Sequence, residues 1–408
     1  MMKLILILIA LLGGSFSIFL NIVQYRSASN PTPQNLADVY DAETYEKWKK
    51  YSAEHCILNI ASSIVTGVIM LTLLITDAYA AFASLFGENI HWQLIAVILL
   101  ETAVSTVLGV VESYISDMVI EEKYGFNRSS IKTFVTDRIR SLLLGLALSL
   151  FLVYAVLGFY SLVGVWMIPI FAGAVFCFTL LISFLYPIFS RIGNKFVPLE
   201  EGELKESLME LLTKHGYKVK AIEVMDASRR TTKLNAYFTG FGKMKTIVLY
   251  DNLVNSMSAD EICAVFAHEL GHGLNKDVPK RQALNLINMA LMGVVAYIAV
   301  STPAMHTAFG FEDVNYGFAY ILMGLLLGLA QPLLGLVTNA VSRAAEYRAD
   351  RQAVKEGYGP AMISALKKLA RENFAHLAPS KINVLLEYSH PPLASRLDAV
   401  ENEIKKQN

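Results

Sequence analysis

Two histidines four residues apart flank a glutamate in His268-Glu269-Leu270-Gly271-His272. On a helix such positions share a face, so both imidazoles can reach one cation. Neutral imidazole suits Zn²⁺, which takes about four ligands and in a reactive site leaves one position to water. Glu269, beside the first ligand, is placed to take the proton from that water as it attacks a carbonyl. Alone, the same pattern also describes a helix with two surface histidines. A third protein ligand is needed, and Ala345-Glu346-Tyr347-Arg348-Ala349-Asp350 offers one. Glu346 is the expected ligand. Asp350, one helical turn on, is expected to accept a hydrogen bond from the far nitrogen of a ligand histidine and fix its tautomer. Cys56, Cys177 and Cys263 sit among apolar neighbours and read as small buried hydrophobes, so the metal set draws on histidine and carboxylate. One Zn²⁺ per chain is the expected cofactor.

The elements that must position this set lie in a chain of 408 residues, 54% hydrophobic and only 17% charged, with mean hydropathy +0.44. Soluble domains carry about 25% charged residues. The formal net charge is zero, and the basic stripe that a nucleic-acid partner would want is missing. Apolar runs of spanning length, about 20 residues, are expected near 2–24, 57–86, 92–115, 141–160, 163–187, 284–302 and 316–340. The second is too long for one straight crossing and should tilt or project. Lys and Arg crowd 25–56, 116–140, 188–283 and the tail after 340, and are absent from 87–91, 161–162 and 303–315. The basic segments therefore share the cytoplasmic side, with the N-terminus opposite; Lys3 alone runs against this bias. Two crossings separate His272 from Glu346, which returns both to the same side.

Between the fifth and sixth spans the periods change. Leu204, Leu208, Leu211 and Leu212 form a helical stripe ending at Gly216. Strands are predicted over 219–225, 233–239 and 246–250, the last two joined by a turn at Gly240-Phe241-Gly242-Lys243. Ser258-Ala259-Asp260-Glu261 fits a capping box that opens the motif helix. The predicted division is membrane helices over 1–187, a zincin-like α+β module over 188–283, two further spans over 284–340, and a segment over 341–408 completing the site.

The chain resembles the Ste24 family of CAAX prenyl proteases, among the glutamate-liganded zinc peptidases. The resemblance rests on Glu121-Glu122-Lys123-Tyr124-Gly125-Phe126-Asn127, Leu234-Asn235-Ala236-Tyr237-Phe238, the motif 268–272, Ser342-Arg343 with Glu346 to Asp350, and Ser389-His390-Pro391-Pro392-Leu393 with Arg396. It implies a polytopic α-helical membrane protein whose seven long helices surround a water-filled chamber, with the zinc site opening into it. It also implies release of a C-terminal tripeptide from an isoprenylated cysteine. By matching position, His390 would stabilise the oxyanion, and Arg396 would engage the substrate carboxylate or backbone, as its two-pronged fork suits. Asn235 would lie on the strand that pairs with the peptide. Apart from the resemblance, these three read as a loop residue, a helix-surface cation and a turn or strand-edge residue.

The expected partners are a peptide or protein substrate, prenylated or not, and membrane lipid; neither nucleic acid nor an obligate protein partner is indicated. The chain is short beside eukaryotic members of that family, so the bacterial inner membrane is the expected location, or the endoplasmic reticulum membrane for a eukaryotic source. Two other readings compete: a bacterial quality-control metalloprotease, and a seven-helix transporter or receptor with a vestigial zinc site. Asp77, Glu101 and Glu112 interrupt apolar runs. They are expected either to face the chamber or to pair between helices. The topology is testable at Asn127-Arg128-Ser129, a glycosylation sequon placed on the cytoplasmic side. Expressed in eukaryotic cells, it should stay unmodified; a glycan, seen as a mass shift removed by glycosidase, would invert the orientation.

Overall fold

Within a bilayer a backbone has no solvent partner, so each apolar run must satisfy its own hydrogen bonds as a helix. In the computed structural model, which describes residues 1–191, 194–217, 221–239 and 246–407, that is their form. The first half comprises α1 (Met2–Ser27), α2 (Ala42–Ile75), the short α3 (Ala78–Ser84), α4 (Ile90–Ser113), α5 (Ile131–Val163) and α6 (Met167–Phe189). A π-helical stretch, Tyr114–Glu121, prolongs α4. Among the described residues, six stretches are long and apolar enough to span, and one of them, Ile131–Leu185, folds back at Gly164 (φ +54) into α5 and α6. Seven long helices result. Of the most apolar stretches of α1 and α2, only 11% and 6% is buried by protein, so most of that surface is not covered by the rest of the described fold.

The predicted run 57–86 is not one long helix. Asp41 caps α2 by accepting from the Thr44 amide at 2.7 Å, so the helix starts well before the apolar run and ends at Ile75. Asp77 then takes a left-handed conformation (φ +55) before α3. Lys3 holds this break, donating to the Ile75 carbonyl at 3.0 Å and to Asp77 Oδ1 at 2.7 Å. The basic residue at odds with the charge bias is thereby partnered. The other two intramembrane acids are bonded as well, Glu101 by the Tyr79 hydroxyl at 2.6 Å and Glu112 by the Ser62 hydroxyl.

The module between the spans contains β1 (Phe196–Pro198), α7 (Glu203–Lys214), β2 (Ala221–Met225), β3 (Ala236–Thr239), β4 (Thr246–Tyr250), α8 (Asp251–Ser256) and α9 (Ala259–Leu274). The sheet order is β1-β2-β4-β3, with β2 and β4 parallel and the outer pairs antiparallel. β1 was not foreseen; three residues ending in proline carry no readable alternation. The expected turn at 240–243 lies outside the described residues, as does the start of the strand expected from 219. Leu208, Leu211 and Leu212 of α7 are buried in the module core beside Ile262 and Phe266 of α9. The capping box at Ser258 and Glu261 is complete.

The chain continues through α10 (Asp277–Ser301), the short α11 (Pro303–Thr307), α12 (Tyr316–Lys355), α13 (Gly359–Glu372), α14 (Lys381–Leu386) and α15 (Leu393–Gln407). At 40 residues, α12 is about 60 Å long, and it runs unbroken from the apolar bundle into the module. All four basic segments gather at this end. Lys367 bonds Asp38 at 2.7 Å, Tyr40 bonds the Ala370 carbonyl at 3.0 Å, Lys233 meets Glu121 at 2.9 Å, and Asn127 bridges Thr231. At the opposite end Lys3 lies over Phe309, which packs against Phe318.

α9 and α12 approach so closely that Gly271 has no room for a side chain. A Cβ there would stand 2.9 Å from both Ala349 Cα and Gln352 Cβ. Gly271→Ala should therefore force the helices apart, at a cost of about 1–3 kcal/mol as for other overpacked cores. Thermal unfolding in detergent reads this as a lowered midpoint; an unchanged midpoint would mean the contact yields freely.

Candidate metal centre

α9 carries the motif because its cap starts the helix in phase and its apolar residues bury one side. Ile262, Cys263, Phe266 and Ala267 are all in the core, which leaves His268 and His272 aimed at α12. Their rings lie 4.9 Å apart. Across the gap, His268 Nε2 is 3.6 Å from Glu346 Oε2 and His272 Nε2 is 3.3 Å from Glu346 Oε1. One ligand atom from each of the three falls within 4.8 Å of the others. Atoms bound at about 2.0–2.1 Å to a tetrahedral ion stand roughly 3.4 Å apart. The chemistry of the set also fits: two imidazoles and one carboxylate, with Glu346 Oε2 buried and accepting no hydrogen bond. These three residues could hold a metal ion and form the candidate metal site.

Around it lies a ring of paired charges. His268 Nδ1 donates to Asp350 Oδ1 at 2.8 Å, the bond expected from sequence. Arg396 forks onto the same carboxylate, Nε to Oδ2 at 2.8 Å and Nη2 to Oδ1 at 2.6 Å. Its Nη1 stands 3.3 Å from Glu346 Oε2. Burial would raise both acids, but bonds and charges from the histidines and Arg396 outweigh it and bring Glu346 and Asp350 down to about 2. Both are carboxylates at neutral pH. Sequence reasoning missed Asp277, whose Oδ2 lies 3.1 Å from His272 Nδ1, and Arg348, which bonds Asp277 at 2.7 Å. The only signal for Asp277 was an acid five residues past the motif, which also reads as a first-turn helix charge.

A cavity of about 490 Å³ opens beside the metal site. Glu269, half-buried, lines it with His268, Glu346, His390 and Arg396; Leu253, Val265, Leu366 and Leu393 supply an apolar wall. His390 Nε2 is 3.5 Å from Glu346 Oε1, and the Ser389 hydroxyl lies 3.0 Å from its Nδ1. Asn235 is also on the wall, just before β3, which is an edge strand; its side chain accepts from the Ala236 amide at 2.9 Å. Asn373, another residue not foreseen, binds the Leu234 amide at 3.0 Å and its carbonyl at 3.2 Å through its own side-chain amide. All eight residues singled out from sequence thus fall at the ligand cluster or on the wall of one cavity. They differ in freedom: Arg396 is committed to two carboxylates, while His390 remains largely exposed.

Comparisons with known proteins agree in extent with this architecture. Residues 21–191 match the family described as CAAX prenyl protease N-terminal, five membrane helices, and residues 198–404 match Peptidase family M48. CAAX prenyl protease 1 homolog of rice, Oryza sativa, is 33% identical, with 96% of each chain covered. CAAX prenyl protease 1 of Saccharomyces cerevisiae is 31% identical over 95% of this chain and 92% of its own. The crystal structure of S. mikatae Ste24p superposes with a TM-score of 0.89 at 30% identity, covering 98% of this chain and 99% of that one. Because the rice relative is matched over 96% of its length, chain length does not set this protein apart from eukaryotic relatives. The chain is an integral multi-pass membrane metallopeptidase of the Ste24/CAAX prenyl protease 1 family, an M48 peptidase with an N-terminal membrane domain.

Proposed function

We propose that the protein releases the C-terminal tripeptide of isoprenylated CAAX proteins by hydrolysis at a zinc ion held by His268, His272 and Glu346. The observation that carries the reading is the placement of Glu346 on α12, a helix that leaves the apolar bundle and enters the metal site without a break. A soluble peptide needs no such arrangement. A lipid anchor does, since it gains about 0.8 kcal/mol for each CH₂ kept in an apolar phase. The gathering of basic segments at the site's end supports a cytoplasmic catalytic face, a side shared by the bacterial inner membrane and the endoplasmic reticulum membrane.

When bound, zinc polarises the scissile carbonyl and acidifies its water. Glu269 takes the proton of the attacking water and passes it to the leaving amine. His390, 3.5 Å from Glu346 Oε1 and on the same cavity wall as Glu269, donates toward the developing oxyanion. The edge of β3 at Asn235 pairs with the peptide backbone. Arg396 acts first through Asp350, which it holds against His268; the part of its guanidinium that lines the cavity is where a substrate carboxylate would lie.

Two measurements test this reading. Zinc analysis of purified variants should find Glu346→Ala unable to retain the metal, and Asp350→Ala weakened by roughly 10–100-fold; undiminished affinity in the first would move the ligand elsewhere. Farnesylated and unmodified CAAX peptides, with products read by mass spectrometry, should differ, the farnesylated one being cut faster and after the modified cysteine. Glu269→Gln should lower that rate at least about 10²-fold while keeping zinc. Equal cleavage of both peptides, with cuts scattered in unrelated membrane proteins, would replace the CAAX assignment by quality control.

A further inference from the structure

Each motif histidine presents Nε2 to Glu346 and Nδ1 to a carboxylate, and in each case an arginine holds that carboxylate. For His268 the pair is Asp350 and Arg396. For His272 it is Asp277 and Arg348: Nδ1 lies 3.1 Å from Asp277 Oδ2, while Arg348 Nη2 donates to Asp277 Oδ1 at 2.7 Å. We infer that Asp277, clamped by Arg348, is the positioning residue of His272: it accepts the Nδ1 proton, which leaves Nε2 free for a metal ion, and keeps the ring turned to Glu346. The inference rests on the metal centre proposed above.

Three observations separate this role from that of an ordinary helix-start acid. First, Asp277 opens α10, where an acid serving only the helix dipole would stand in solvent, yet its side chain is 6% exposed. Second, Lys276 just before it has φ +53, a conformation L-residues rarely adopt. The backbone leaves its ordinary path at the step that turns Asp277 back onto the preceding helix. Third, its clamp comes from α12, two residues after Glu346, so one helix supplies both the third ligand and the hold on the second. The remaining cation near Asp277, Lys280, stands 3.7 Å away and is half-exposed. The two arms differ in depth. Asp350 is fully buried and Arg396 nearly so, whereas Arg348 is 29% exposed, which makes the His272 arm the one nearer solvent.

The test uses the full chain in detergent, loaded with Zn²⁺ against a competing chelator and, separately, with Co²⁺ for its visible spectrum. Asp277→Ala should still fill at saturating metal but bind zinc roughly 10–100-fold more weakly, the range for loss of a ligand's hydrogen-bond partner, and its Co²⁺ bands should shift. Asp277→Asn, whose amide oxygen can accept the same bond, should recover part of the affinity. Arg348→Ala should lose less, in the same direction, and Lys280→Ala nothing. Wild-type affinity and an unshifted Co²⁺ spectrum in Asp277→Ala would overturn the inference. Should that variant fail to fold, unchanged affinity in both Asp277→Asn and Arg348→Ala would do so. A wild-type chain that takes up no metal would overturn the metal centre itself, a different result from one in which wild type and variants bind alike.

Discussion

The contact between α9 and α12 is the constraint on which the rest depends. Two ligands ride on one helix and the third on the other, more than seventy residues later, so the site exists only where those helices touch. A glycine inside the motif lets them touch: with Gly271 against Ala349, backbones approach closely enough for Glu346 to reach between the histidines. Everything else either delivers these helices or braces them. α10 and α12 form the two membrane crossings that return the chain to the same end, and α13 and α15 pack behind α12 around Ala353, Leu366 and Leu397.

Charge is arranged around that contact so that, among the described residues, no buried ion stands alone. Taking an acid out of water is costly unless partners replace its hydration. Glu346, Asp350 and Asp277 are all buried, and each has an arginine or histidine within 3.3 Å. Fixed partners also mean fixed rotamers, which a metal site needs more than it needs any single strong bond. The same economy holds in the membrane, where Lys3 meets Asp77 and hydroxyls meet Glu101 and Glu112.

What could be read in the sequence was what depends on local period. The motif histidines and the Glu346–Asp350 pair are each one helical turn apart, so their faces follow from spacing alone, and the parity of the intervening spans brought them to one side. Hydropathy located the spans but not their ends. The first turns of α2 are rich in charge, and the last turns of α12 alternate charged and small residues, so neither extension has an apolar signature. Asp277 was illegible for another reason. Its relation to His272 passes through a single left-handed residue, Lys276, and lysine gives no hint that it will adopt that conformation. Arg396 was singled out only through the family resemblance, since by itself it reads as a helix-surface cation, and its two-carboxylate partnership depends on α15 docking beside α12, which only tertiary structure reveals.

The unbroken course of α12 makes it a lever. Pro332 removes one backbone hydrogen bond from the rod without ending it, and Glu346 lies about 21 Å farther along the axis. A bend of one degree at that point carries the ligand by about 0.4 Å. A metal set with ångström tolerances is thus joined mechanically to a segment whose inclination is set by its packing against α4 and α10, and those distant contacts become constraints on the ligand set.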